Sequence, residues 1–139
     1  MTVVVGYLPG AYGRAALRHG VEEAGMLGTR LVVVNATKGD AFVDTHFASD
    51  EAVGTLDRRL DELKVDHEIR QVLGSDIAAE ILHVVEEVEA TRLVIGLRRR
   101  SPVGKLFMGS VAQRLLLDCP CPILAVKPDP HDADVVGEA

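Results

Sequence analysis

Between Arg92 and Leu117 the chain carries six Lys or Arg residues (92, 98, 99, 100, 105 and 114) and no Asp or Glu. The chain as a whole is acidic, at net −6. The segment Val94-Ile95-Gly96-Leu97-Arg98-Arg99-Arg100-Ser101-Pro102-Val103-Gly104-Lys105-Leu106-Phe107-Met108-Gly109-Ser110 starts as an apolar strand and ends where a helix begins. Glycines let a backbone approach a phosphate closely, and the free N–H groups and dipole of a helix start favour anions. Guanidinium groups add donors whose geometry matches phosphate oxygens. Each charge-assisted hydrogen bond of this kind contributes about 1.5–3 kcal/mol. The chemistry these residues suit is anion binding, with a triphosphate as one candidate. Arg98, Arg99 and Arg100 are its candidate clamps, and Lys105 reads as an exposed cation.

Other chemistries find less support. A P-loop needs Gly five residues before Gly104-Lys105 and a hydroxyl residue after, where the chain has Arg99 and Leu106. A dinucleotide fingerprint fails because Gly6, Gly10 and Gly13 have the wrong spacing. Histidines 19, 46, 67, 83 and 131 are scattered without metal-ligand spacing. No Ser/His/Asp or Cys/His set can be assembled, and no catalytic base or metal-holding carboxylates stand out, so catalysis has the least support. Cys119 and Cys121 form a C-x-C pair with no second Cys or His cluster. They read as small buried residues at the entry to a strand.

The elements that must position the basic segment follow from hydrophobic periodicity. Thr2–Gly6, Leu31–Asn35, Arg92–Ile95 and Ile123–Val126 are short β-branched or aliphatic runs typical of buried strands. Asp66–Val72 alternates and is more polar, as an edge strand would be. Leu17, Val21, Ala24 and Gly28 share one helical stripe, and Val53, Leu56, Leu60 and Leu63 another, over about residues 50 to 64. Ala78, Ile81, Leu82, Val85 and Val88 mark a third helix after Gly74-Ser75-Asp76, with Ser75 the expected N-cap. Ser110 to Leu117 is the fourth. Residues 36 to 49 have no period and predict a loop. The order β-α-β-α-β-α-β-α-β predicts an α/β fold: an open, doubly wound, mostly parallel sheet with helices on both faces. In such a sheet, ligands sit at the carboxyl ends of strands where the winding reverses. A central first strand puts that point between strands 1 and 4.

At 139 residues the chain is one domain, with 47% apolar and 26% charged residues. Residues 1–127 form the expected domain and 128–139 an acidic flexible tail with four acids and no base. Without that tail fifteen bases face seventeen acids, which argues against general nucleic-acid binding. No signal peptide precedes Val3 and no apolar run approaches about 18 residues, so no membrane span and a cytoplasmic location are expected. An apolar last strand, Ile123-Leu124-Ala125-Val126, predicts twofold strand pairing, since an open apolar edge invites aggregation.

Gly96, Arg99 and Gly109-Ser110 resemble the G-x2-G-x9-G-[S/T] signature of the universal stress protein (UspA) family. The surrounding Gly-Ser-Val-Ala-Gln-Arg, Cys-Pro-Cys-Pro-Ile-Leu-Ala-Val, Val-Val-Val-Gly and Arg14-Ala15-Ala16-Leu17 segments are similar to that family as well, over residues 2 to 127. The resemblance implies a five-stranded sheet in order 3-2-1-4-5 with four helices, an adenine nucleotide alpha hydrolase-like fold. It implies a homodimer paired through Ile123, Leu124, Ala125 and Val126, a stress-response role and, in one branch, bound ATP with Mg²⁺. By position, Tyr7, Leu8, Pro9 and Val34 would surround the base. Gly96, Arg98, Arg99, Gly109, Ser110 and Val111 would meet the ribose and phosphates. Leu8 stands where the ATP-binding branch has Asp, and Arg99 where the signature has its second glycine. A family member that keeps the dimer but has lost the nucleotide, a pure interaction module, is the alternative these two residues raise.

Overall fold

A computed structural model describes residues 1–7, 11–37, 50–97 and 109–132, with the backbone alone for Ala11 and Thr37. Five strands form one parallel sheet: β1 (Thr2–Gly6), β2 (Arg30–Thr37), β3 (His67–Leu73), β4 (Arg92–Gly96) and β5 (Ile123–Val126). Their order is β3-β2-β1-β4-β5, as expected. Four helices connect them: α1 (Ala11–Leu27), α2 (Asp50–Glu62), α3 (Ile77–Glu87) and α4 (Ser110–Asp118).

The two faces of the sheet explain why its central strands read as unbroken apolar runs. Successive strand side chains point to opposite faces. Val3 and Val5 therefore pack with Ala16 and Leu17 of α1 and Leu56 and Leu60 of α2. Val4 packs on the other face with Ala78, Ile81 and Val85 of α3 and Leu115 of α4. All three valines are fully buried, each contributing roughly 1.5–3 kcal/mol. On the edge strand β3, where burial is partial, Arg30, Glu68, Arg70 and Glu87 form a chain of ion pairs (Arg30–Glu68 3.2 Å, Arg70–Glu68 2.9 Å, Arg70–Glu87 3.2 Å). Hydrogen bonding from Arg70, with Arg30 nearby, holds the Glu68 carboxyl below its usual range. Charges along an edge oppose pairing with a foreign strand.

Helix ends correct two expectations. Gly28 does not extend the α1 stripe; it adopts φ +64° and ends the helix. Thr29 N–H donates to the Ala24 carbonyl (3.0 Å) and Gly28 N–H to that of Gly25 (3.4 Å), the paired bonds of a Schellman turn. Lys64 (φ 59°) and Glu89 (φ 51°) close α2 and α3 by the same bond pattern without a glycine. At the start of α3 the cap is Asp76 rather than Ser75. Asp76 accepts from the Ala79 N–H at 3.1 Å, which satisfies an orphan donor of the first turn.

Beyond β5 the chain stays in contact with the body as far as Asp132. That side chain is 3% exposed and accepts from Arg18 Nε of α1 at 2.7 Å and from the Asp129 N–H at 2.8 Å.

Candidate functional site

The winding of the sheet reverses between β1 and β4, whose carboxyl ends lie level: Gly6 pairs with Val34 of β2 and with Ile95 of β4. Three of the expected site residues meet this edge. Tyr7 follows β1 and is buried, and its N–H donates to the Val34 carbonyl at 2.8 Å. Burial pushes the Tyr7 phenol up, against the pull of Arg14 in the first turn of α1, so the ring stays neutral beside a cation. Val34 is fully buried.

Gly96 ends β4, and its role is steric. A Cβ there would lie 2.4 Å from the carbonyl oxygen of Tyr12. The first turn of α1 crosses the end of β4 at a distance that only glycine permits.

Gly109, Ser110 and Val111 open α4. Gly109 is the N-cap, with extended φ −63° and ψ 157°, and no side-chain capping bond is made there. Ser110 therefore occupies the first helical position rather than the N-cap. No acid stands in the first turn. The dipole and free N–H groups of α4 thus have no anionic side chain of that turn to face, which suits an incoming anion. Gly109 and Ser110 are exposed, and a Cβ on Gly109 would meet nothing within 4 Å among the described residues.

Of the six basic residues from Arg92 to Leu117, two are engaged elsewhere. Arg92 lies at the amino end of β4 and bonds Glu23 at 3.0 Å. Arg114 pairs with Asp76 and with Asp118 (3.3 Å), tying α4 to the start of α3. The Ala79 N–H and then Arg114 hold the Asp76 carboxyl below its usual range. Leu8, Pro9, Arg98, Arg99, Arg100 and Lys105 lie outside the described residues.

One polar pair was not anticipated. Asn35, buried at 1% exposure directly after Val34, donates from Nδ2 to the Tyr7 carbonyl at 3.0 Å. Its Oδ1 accepts from Gln71 of β3 at 3.3 Å. A side-chain relay thus crosses the carboxyl ends of β3, β2 and β1 and fixes the backbone leaving β1. Its signal was present in the sequence: Asn35 is the lone polar residue ending Leu-Val-Val-Val-Asn. A separate cleft of about 450 Å³, lined in part by Gly28, Thr29, Lys64 and Asp66, opens at the other end of β2 and β3. It is remote from the strand reversal.

An open parallel sheet with its winding reversal at β1/β4, followed by a helix with a glycine N-cap, defines a doubly wound α/β domain. A sequence profile described as "Universal stress protein family" matches residues 1–127. A universal stress protein of Mycolicibacterium smegmatis is 52% identical over 126 residues, covering 91% of this chain and 97% of that protein. The chain belongs to the universal stress protein family. Among solved structures, a universal stress protein from Archaeoglobus fulgidus superposes with TM-score 0.70 at 28% identity, covering 91% of this chain and 97% of the other. A second structure from that organism, a universal stress protein in complex with dAMP, has the same fold (TM-score 0.62, 22% identity, 91% and 96% covered).

Proposed function

We propose that the protein is a dimeric stress-response regulator of the cytoplasm that binds ATP in the crevice between β1 and β4. The observation that carries this reading is the start of α4: a glycine N-cap without a side-chain bond and a first turn without an acid, next to the strand reversal. A fold relative in complex with dAMP supports an adenine nucleotide as the ligand class. Phosphates would meet the N–H groups at Gly109, Ser110 and Val111, joined by Arg98 and Arg99. Tyr7, Leu8, Pro9 and Val34 would flank the base, and Gly96 the ribose side. Mg²⁺ would come with the phosphates: among the described residues no three His, Cys, Asp or Glu converge. The proposal assigns a binding and signalling role, with no turnover required.

The dimer would pair β5 with its twofold mate through Ile123, Leu124, Ala125 and Val126. β5 is an outer strand, Ala125 is exposed, and Leu117 on the adjoining helix is 83% exposed. These features favour an apolar partner surface.

Calorimetric titration with ATP and Mg²⁺, alongside dAMP, tests the ligand. Saturable binding that weakens in Ser110→Asp, which sets a carboxylate where phosphate would sit, is expected. No heat and no thermal shift at millimolar ATP would refute it. The second reading, an interaction module without nucleotide, gains from the engagement of the Tyr7 and Val34 carbonyls within the protein. It predicts an intact dimer with no response to either nucleotide.

A further inference from the structure

The two cysteines are neither fully buried nor apart. Cys119 is the C-cap of α4, Cys121 lies two residues before β5, and both side chains are half-buried. Their sulfur atoms are 3.6 Å from each other. Two local features produce this approach. Cys119 precedes Pro120, which biases it to extended backbone, and it has φ −69° and ψ 129°. In extended chain, residues i and i+2 share one face.

Both flanks are anchored. Cys119 N–H donates to the Leu115 carbonyl at 3.0 Å, and the Pro122 carbonyl accepts from Leu93 of β4 at 3.1 Å. Both side chains also rest against the α3/α4 apolar cluster. The thiols are thus held within reach by backbone on both sides, not by chance contact of mobile side chains. A disulfide bond is about 2.05 Å long, so the sulfurs need to close by only about 1.5 Å.

We propose that Cys119 and Cys121 form a site for reversible thiol–disulfide exchange with low-molecular-weight disulfides. Cys119 Sγ, as thiolate, attacks one sulfur of the small disulfide; that S–S bond breaks, and the leaving thiolate takes a proton from water. Cys121 then gives its proton to water and attacks Cys119 Sγ, releasing the second small thiolate, which is protonated in turn. Two protein thiols are oxidised to one disulfide, and one small disulfide is reduced to two thiols. The order of attack follows from the surroundings. Burial, and hydrogen bonding with Cys119, push the Cys121 thiol up to about 12, which leaves Cys119 to attack first, while either sulfur can donate in the contact between them. A ring closed over three residues gains little loop entropy, which suits a bond that is readily reduced again.

The test uses the full-length reduced protein in native buffer with oxidised and reduced glutathione at graded ratios. Samples are quenched with acid, labelled with a maleimide and read by intact mass. Wild type is expected to lose two hydrogens and take up no label at oxidising ratios, then return to two labels with excess reduced glutathione. Cys121→Ser is expected to stop as a single glutathione adduct on residue 119. Cys119→Ser is expected to react at least about tenfold more slowly. The proposal fails if folded wild type keeps both thiols at the most oxidising ratio, or joins chains to each other. It also fails if Cys119→Ser forms its adduct as fast as Cys121→Ser. The wild-type measurement stands without either variant, and circular dichroism of the oxidised sample confirms that the fold is retained.

Discussion

Gly96 and Gly109 both belong to the glycine signature, yet the structure gives them opposite physical roles, and one pair of substitutions separates them. In Gly96→Ala the new methyl would lie 2.4 Å from the Tyr12 carbonyl oxygen and 3.0 Å from its carbon. Both are backbone atoms in the first turn of α1, so no rotamer change relieves the clash. Either α1 or β4 must move within a close-packed interface, at a cost of about 1–3 kcal/mol. For a domain of this size, 2 kcal/mol lowers Tm by about 6 °C. In Gly109→Ala the methyl meets nothing among the described residues, and φ −63° is open to alanine. Its stability cost is limited to the poorer N-cap, about 0.5–1 kcal/mol. If phosphate approaches the backbone at Gly109, that variant instead loses nucleotide affinity, about tenfold for 1.4 kcal/mol. Urea unfolding followed by circular dichroism, with m-values compared, measures the first quantity, and calorimetric titration with ATP measures the second. A Gly96→Ala variant within about 0.5 kcal/mol of wild type, or less affected than Gly109→Ala, would refute the assignment.

Lys64 holds a left-handed φ of 59° at the end of α2, which glycine adopts without a Cβ penalty. Lys64→Gly is expected to stabilise the protein by about 0.5–1 kcal/mol after its larger unfolded-state entropy is counted, seen as a higher urea midpoint. Asp132→Ala removes the buried partner of Arg18 and is expected to cost about 1–3 kcal/mol, because Arg18 keeps Glu22 at 3.1 Å. Urea unfolding measures the loss, and an unchanged midpoint would show that Asp132 does not tie the segment after β5 to α1. His67 sits with Nδ1 2.8 Å from the Val65 carbonyl and Nε2 2.6 Å from the Asp57 carboxylate, both acceptors. Burial opposes its charge, but these two acceptors prevail and raise its pKa above 6.5. A raised folded-state value means stability is fully present below about pH 6.5 and is lost as pH rises through the folded value. Wild type should lose stability relative to His67→Gln between about pH 6 and 8, and a constant difference across that range would contradict the pairing.

Element order was legible because each buried strand is a short β-branched run and each helix carries its own apolar stripe. The parallel sheet, its strand order and the edge position of β3 followed from those patterns and the family resemblance. Choices between neighbouring residues were not legible. Ser75 and Asp76 both suit an N-cap, and only the position of Ala79 and Arg114 decides for Asp76. Gly28 fell on the right helical period but at the residue where the chain turns left-handed. Long-range partners left no trace in periodicity. Nothing local tells that Arg114 is bound to Asp76, that Asp132 returns to α1, or that Asn35 braces Tyr7. Of the site, Tyr7, Val34 and Gly96 are brought to the carboxyl edge of the central strands, and the start of α4 is free of a side-chain cap. Basic charge was the weaker guide, since Arg92 and Arg114 turn out to serve the fold.

The glycine signature therefore carries two separable kinds of information. Gly96 is required by the crossing of α1 over β4 and would be required whether or not a ligand binds, so it reports the fold. Gly109 is not demanded by any described neighbour or by its φ, and at an N-cap Ser, Asp or Asn would do somewhat better. A glycine that no described neighbour requires, at the exposed start of the helix that follows β4, leaves that backbone open to close approach by a ligand. For this reason the nucleotide reading rests on Gly109 and the helix start it leads, more than on Gly96 or on the charge of the segment between them.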